Sequence, residues 1–184
     1  ILFFIKIQRR NLVSGQIIPG KKAPSLDLHT TNGHTWSLDE HFNKNKCMIV
    51  FYRGLHCPVC SVFLKQIDNQ LLEYKKSNTE VIAISMDSKE KALKAKSLWS
   101  INNLNIAYGL TENNAREWGL YISKSIKEAE SDLFCEPGLF VIKEDGTVYL
   151  ANTSNMPWAR PDLTDFPAKL VFAQENDYPV RGNY

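Results

Sequence analysis

Four cysteines are spread over 184 residues, too few to staple a chain of this length as a disulfide framework, so a hydrophobic core must hold it together. Charge of one sign is also lacking. The formal net charge is +2, and basic pairs such as Lys21-Lys22 and Lys75-Lys76 never grow into a patch, which leaves nucleic-acid binding without a footprint. No apolar run is long enough to span a bilayer: Ile1 to Ile7 is far too short, so no membrane partner is expected. Arg9-Arg10 follow that run, whereas a signal peptide carries its positive charge ahead of it. The N-terminal residues 1–16 are expected to form an extension, a strand or helix packed on the domain, and a reducing, cytoplasmic setting is the simpler one for so few cysteines. Repeats, low-complexity tracts and linkers are missing as well, so residues 17–184 read as one domain.

What the chain does have is concentrated in Lys46 to Cys60. Met48 to Tyr52 is continuously apolar and β-rich, as expected of a central strand covered on both faces. Arg53-Gly54 ends the strand. From Val59 onward Val59, Val62, Phe63, Ile67 and Leu71 recur at helical spacing. Pro58 suits the first helical turn, where its missing N–H would be unpaired anyway. Cys57 therefore sits at or just before the helix start, with Cys60 one turn on. Unpaired amides and the helix dipole favour a thiolate there, His56 and Arg53 add positive charge, and the second thiol can resolve a mixed disulfide or a sulfenic acid.

The rest of the chain supplies a frame. Leu26 to Thr30 and His34 to Leu38 alternate around Asn32-Gly33, a hairpin signal. Ser37 or Asp39 is expected to cap a short helix through Phe42. Glu80 to Ser85 is a second strand and Lys89 to Ser100 a helix with Ala92, Leu93, Ala95, Leu98 and Trp99 inward. A third strand falls near Ile106, a short helix at Asn113 to Trp118 stops at Gly119, and residues 121–133 show no clear pattern. Leu139 to Ile142, Asp145-Gly146 and Thr147 to Leu150 form a hairpin. Asp162 to Gln174 closes the chain as a helix. Strands alternating with helices predict an α/β protein, a thioredoxin-like fold whose central mixed β-sheet is flanked by helices and preceded by an N-terminal β-hairpin extension.

Four blocks in order, Phe51 to Cys60, Cys135 to Phe140, Met156 to Pro161 and Asp177 to Pro179, resemble the peroxiredoxin-like proteins of the alkyl hydroperoxide reductase/thiol-specific antioxidant group. The likeness covers about residues 17 to 183. It implies an antioxidant oxidoreductase with no metal and no organic cofactor. It also implies a disulfide or peroxide substrate and a thioredoxin- or glutathione-type reductant, and it is compatible with a homodimer. Peroxiredoxins carry Pro-x-x-x-Thr-x-x-Cys, which falls here on Arg53, Cys57 and Cys60, the last at the peroxide-attacking place. The arginine they set before a Gly-Leu-Phe-like strand is replaced by Pro137. Thioredoxins put a CxxC cysteine and a cis-proline at those two places, so the site departs toward thioredoxin.

Two mechanisms follow. In disulfide exchange Cys57, the more exposed thiol, attacks and Cys60 displaces the product, while Pro137, if cis, presents backbone to the substrate. In a peroxidase Cys60 takes the peroxide oxygen and Cys57 resolves. Cys135 is a third redox thiol or a small packed residue, and Cys47 is core. Arg53 stabilises the thiolate or pairs with a helix carboxylate. Arg160, between two prolines and beside Trp158, lines the site mouth or a packed turn. Trp99, Trp118 and Tyr121 are placed in the core. Zinc lacks a second paired ligand element. A dithiol oxidoreductase, a thiol peroxidase and a non-catalytic binding module remain as three classes.

Overall fold

The computed structural model describes residues 16–184, so residues 1–15 of the expected extension 1–16 lie outside the described residues. Its frame is a seven-stranded sheet in the order β2-β1-β5-β4-β3-β8-β9. The hairpin β1 (Asp27–Thr30) and β2 (Thr35–Ser37) docks antiparallel on β5 (Asn105–Tyr108). β3 (Lys46–Phe51), β4 (Thr79–Ile84) and β5 run parallel, joined by α1 (Pro58–Lys75) and α2 (Lys89–Leu98). β8 (Gly138–Ile142) and β9 (Val148–Thr153) complete the sheet antiparallel beside β3. The expected mixed sheet of thioredoxin type is what forms.

β3 sits at the centre because every residue after Lys46 is buried. Its period of two splits the core. Met48 and Val50, with Tyr52 just beyond, face α1, α2 and α4 (Phe166–Glu175), whereas Cys47, Ile49 and Phe51 face α3 (Glu112–Glu117) and the N-terminal hairpin. On the second face Phe140 packs edge to face against Phe51 and Trp118, which tilt against each other, with centroids 5.1–5.8 Å apart. Each fully buried aliphatic side chain in this strand stabilises the fold by about 2 kcal/mol. Gly119 ends α3 with a φ of 65°, the left-handed stop expected of it.

Several expectations change. The buried stripe of α1 is Cys60, Leu64, Ile67 and Tyr74, while Val59 and Val62 are exposed. At 100° per residue Val62 lies on the far side of the helix from Cys60. In α2 only Ala92 and Ala95 are buried, and Leu93 and Leu98 face outward. The short helix before β3 is a single 3-10 turn, Asp39–His41, without a side-chain cap. The closing helix starts at Phe166, because Asp162 spends its carboxylate on the amide and hydroxyl of Thr164 in a turn. Tyr121 is exposed, Trp99 is half-buried and Trp118 is fully buried. The segment without a pattern contains a separate antiparallel pair, β6 (Ile122–Lys124) and β7 (Leu133–Cys135). No helix among the described residues is long and apolar enough to cross a membrane.

Candidate active site

The site lies where β3 gives way to α1. Gly54 turns the chain at a φ of 129°, which only glycine adopts without strain, and its carbonyl accepts the Cys57 amide at 3.1 Å. Cys57 is the residue that caps α1, with Pro58 in the first turn, as the sequence predicts. Cys57 and Cys60 are joined as a disulfide, their Cα atoms 5.2 Å apart. The Cys60 amide donates to Cys57 Sγ at 3.2 Å. The expectation that Cys57 is the more exposed thiol fails: Cys57 is 1% and Cys60 0% exposed. Both sulfurs belong to the core layer that α1 and β3 share.

Arg160 comes from the loop after β9, a hundred residues along the chain. Its Nη2 lies 2.9 Å from Cys60 Sγ, and its guanidinium lies 4.8 Å over the Phe63 ring. Burial first, then repulsion from Arg53, pull its pKa down to about 10, so it stays a cation at neutral pH. Nε and Nη1 are buried without hydrogen-bond partners, and among the described residues no carboxylate forms an ion pair with this arginine. A disulfide sulfur is a weak acceptor, whereas a thiolate in the same place would take a charge-assisted bond from it. Arg160 and Pro137 line one small cavity of about 10 Å³ with Phe63. The cation therefore reaches the neighbourhood of residue 137 from a different loop.

Arg53 is treated differently. It stacks 4.7 Å over Phe134 and pairs with Glu136 at 3.1 Å and Glu130 at 3.5 Å. Its carboxylate partners are on the β6–β7 insertion rather than on a helix, and they consume its charge. His56 packs edge to face on the same Phe134 ring at 4.7 Å. Burial, followed by the Arg53 charge, lowers its pKa, so the positive charge expected beside the sulfurs is missing at neutral pH.

Pro137 follows a trans peptide bond, since the described residues contain no cis bond. Its carbonyl already accepts the Ser154 amide at 2.9 Å as the β8–β9 ladder runs on. The cis geometry with a free backbone edge is thus not what forms. Cys135 is fully buried, donates to the Tyr52 carbonyl at 3.5 Å and has its thiol pushed up to about 12 by burial. That favours packing over redox use. Cys47 is buried and free, as expected of core.

Sequence reasoning missed three acids. Asp87, 2% exposed, accepts the Leu55 amide at 2.7 Å in the redox loop. It stands just past the C-terminal end of β4, the edge of an α/β sheet where sites gather, and that position is a usable signal. Glu136 lies inside a block already singled out. Glu130 carries no local signal.

A sheet of this topology with a helix-capping dithiol and a guanidinium on one sulfur defines a thiol-dependent oxidoreductase of thioredoxin fold. The AhpC/TSA family model matches residues 19–151, and the chain belongs to that family. Among solved structures, a peroxiredoxin-like protein from Aquifex aeolicus superposes with a TM-score of 0.70 at 16% identity, covering 86% of this chain and 88% of that one. Peroxidoxin BcpB from Mycobacterium tuberculosis gives 0.68 at 15%, with 88% and 98% covered. The reduced 2-Cys peroxiredoxin of Plasmodium vivax gives 0.72 at 17%, with 89% and 84% covered. At these identities the likeness is one of fold. No curated protein matches the sequence.

Proposed function

We propose that the protein reduces peroxides through Cys60, with Cys57 as the resolving thiol and Arg160 as the cation that holds Cys60 as thiolate. The observation carrying this reading is the 2.9 Å contact between Arg160 Nη2 and Cys60 Sγ, made by a guanidinium that forms no ion pair among the described residues. Cys57 has one backbone amide on its sulfur. A neutral hydrogen bond contributes about 1 kcal/mol and one to a charged group about 2 kcal/mol, so Cys60 is the thiol that ionises first.

The cycle then balances. The Cys60 thiolate takes the distal oxygen of the peroxide, the O–O bond breaks, and the alkoxide or hydroxide leaves with a proton from solvent as alcohol or water. The Cys57 thiol closes on the Cys60 sulfenic acid, releasing water and forming the disulfide seen here. A thioredoxin- or glutathione-type reductant attacks Cys57, because Cys60 is the better leaving thiolate with Arg160 beside it. A second thiol of the reductant completes its own disulfide. Disulfide exchange on Cys57 is the same last stage run against another disulfide, so both activities expected from the sequence share one site. Free thiols at Cys47 and Cys135 fit a reducing compartment such as the cytoplasm.

The test is turnover of hydrogen peroxide and of an organic hydroperoxide with thioredoxin or glutathione systems, beside insulin reduction. Cys57→Ser is expected to retain the first step and to accumulate a dimedone-reactive sulfenic acid on Cys60. A sulfenic acid found on Cys57 instead, in the Cys60→Ser protein, would reverse the assignment.

A further inference from the structure

Asp87 is a buried carboxylate that the cycle above does not use. A carboxylate held out of water costs several kcal/mol in the absence of a full ion pair, and no ion pair to Asp87 forms among the described residues. Its neighbours instead tie it to the redox loop. Oδ2 accepts the Leu55 amide at 2.7 Å and Oδ1 accepts the Ser131 hydroxyl at 3.3 Å. Ser131 in turn receives Lys91 Nζ at 2.9 Å. A Cβ on Gly54 would stand 2.7 Å from Oδ1, so the loop lies directly against the carboxylate. The backbone of Asp87 is itself fixed, its amide donating to Ser85 Oγ at 3.3 Å and its carbonyl accepting from Gly109 at 2.9 Å. From Gly54 the chain runs straight to the resolving sulfur, because the Gly54 carbonyl holds the Cys57 amide.

We infer that Asp87 is the positioning residue for the resolving step: through the Leu55 amide and the Gly54 turn it holds Cys57 where its sulfur can close on Cys60. Arg160 serves Cys60 from the other side and touches none of these groups. The inference rests on the assignment of Cys60 as attacking thiol, but concerns a separate step. In that step the Cys57 thiol loses its proton, its sulfur bonds to Cys60 Sγ, the S–O bond breaks, and hydroxide leaves with the proton as water. The peroxide is the oxidant.

The two steps separate in rapid-quench mass spectrometry of the reduced protein mixed with hydrogen peroxide and trapped with dimedone. Asp87→Ala is expected to leave the second-order rate of sulfenic-acid formation within about threefold of wild type while slowing disulfide closure about tenfold or more, the effect of losing one charge-assisted positioning bond. Asp87→Asn, whose carbonyl still accepts the Leu55 amide, is expected to close at close to the wild-type rate. If Asp87→Ala does not fold, Asp87→Ser is read in its place, its hydroxyl being too short to reach that amide. Closure at the wild-type rate without the acceptor overturns the inference. So does equal slowing of both steps, which marks a merely structural residue, and so does an Asn variant as slow as Ala. Wild-type protein that consumes no peroxide removes the peroxidase reading alone. Closure is then timed from the mixed disulfide that oxidised glutathione forms on Cys57, where Cys60 displaces glutathione thiolate across the same gap, and the same order of rates is expected.

Discussion

The two segments that flank the disulfide are built from different forces. On one side the β6–β7 insertion grips the redox loop with opposed charge: Arg53, stacked over Phe134, against Glu130 and Glu136. On the other, the loop after β9 delivers Arg160 over Phe63, and among the described residues no carboxylate forms an ion pair with it. A neutralised cation is a fastener, whereas one left uncompensated in a buried place keeps its field for whatever anion forms next to it. Two arginines at similar depth therefore do different work, and the difference is set by where the acids are.

The comparison breaks most readily at the sulfurs. Cys60→Ser is expected to abolish peroxide turnover, a loss of about a thousandfold or more. Cys57→Ser should keep single-turnover oxidation and lose recycling. Next in size, Arg160→Gln should slow alkylation of Cys60 by iodoacetamide at neutral pH by about tenfold to a hundredfold and move the midpoint of its pH profile upward. An unchanged profile would put the thiolate's stabilisation elsewhere. Arg53→Met should do the reverse, leaving Cys60 reactivity within about threefold while stranding Glu136, which is buried, at a cost of about 2 kcal/mol in denaturant unfolding. Loss of thiol reactivity without loss of stability would show that Arg53 also serves the thiolate.

The smallest effect is expected from His56. Its folded pKa is lowered, chiefly by burial, from the ordinary value of 6.5. The unfolded chain therefore takes a proton first, and stability is lost as pH falls through 6.5 toward the folded value. His56→Phe should unfold with less pH dependence across that window, and an identical slope for both proteins would mean the imidazole does not titrate differently on folding.

Most of the frame was legible because it rests on local rules. Apolar runs locate β3, β4 and β8, and Pro58 beside Cys57 locates the start of α1. The inward face of α1 is not legible from spacing, because Val59 and Val62 are as apolar as the buried stripe and only the sheet decides which side is covered. The Arg160–Cys60 contact spans a hundred positions and obeys no periodicity, so Arg160 could be singled out but not placed. The trans peptide before Pro137, with its carbonyl already paired, depends on the ladder running on to Ser154. Burial of both sulfurs depends on what packs over the helix mouth, which no spacing of cysteines encodes.

A cross-link between residues three apart spans one helical turn and removes little freedom from the denatured chain, unlike one that bridges a long loop. On the loop-closure relation it contributes about 2 kcal/mol, less than a bridge across a long loop. What separates the two states is instead Arg160, whose charge-assisted bond forms only to the Cys60 thiolate, so the scaffold leans toward holding the two electrons.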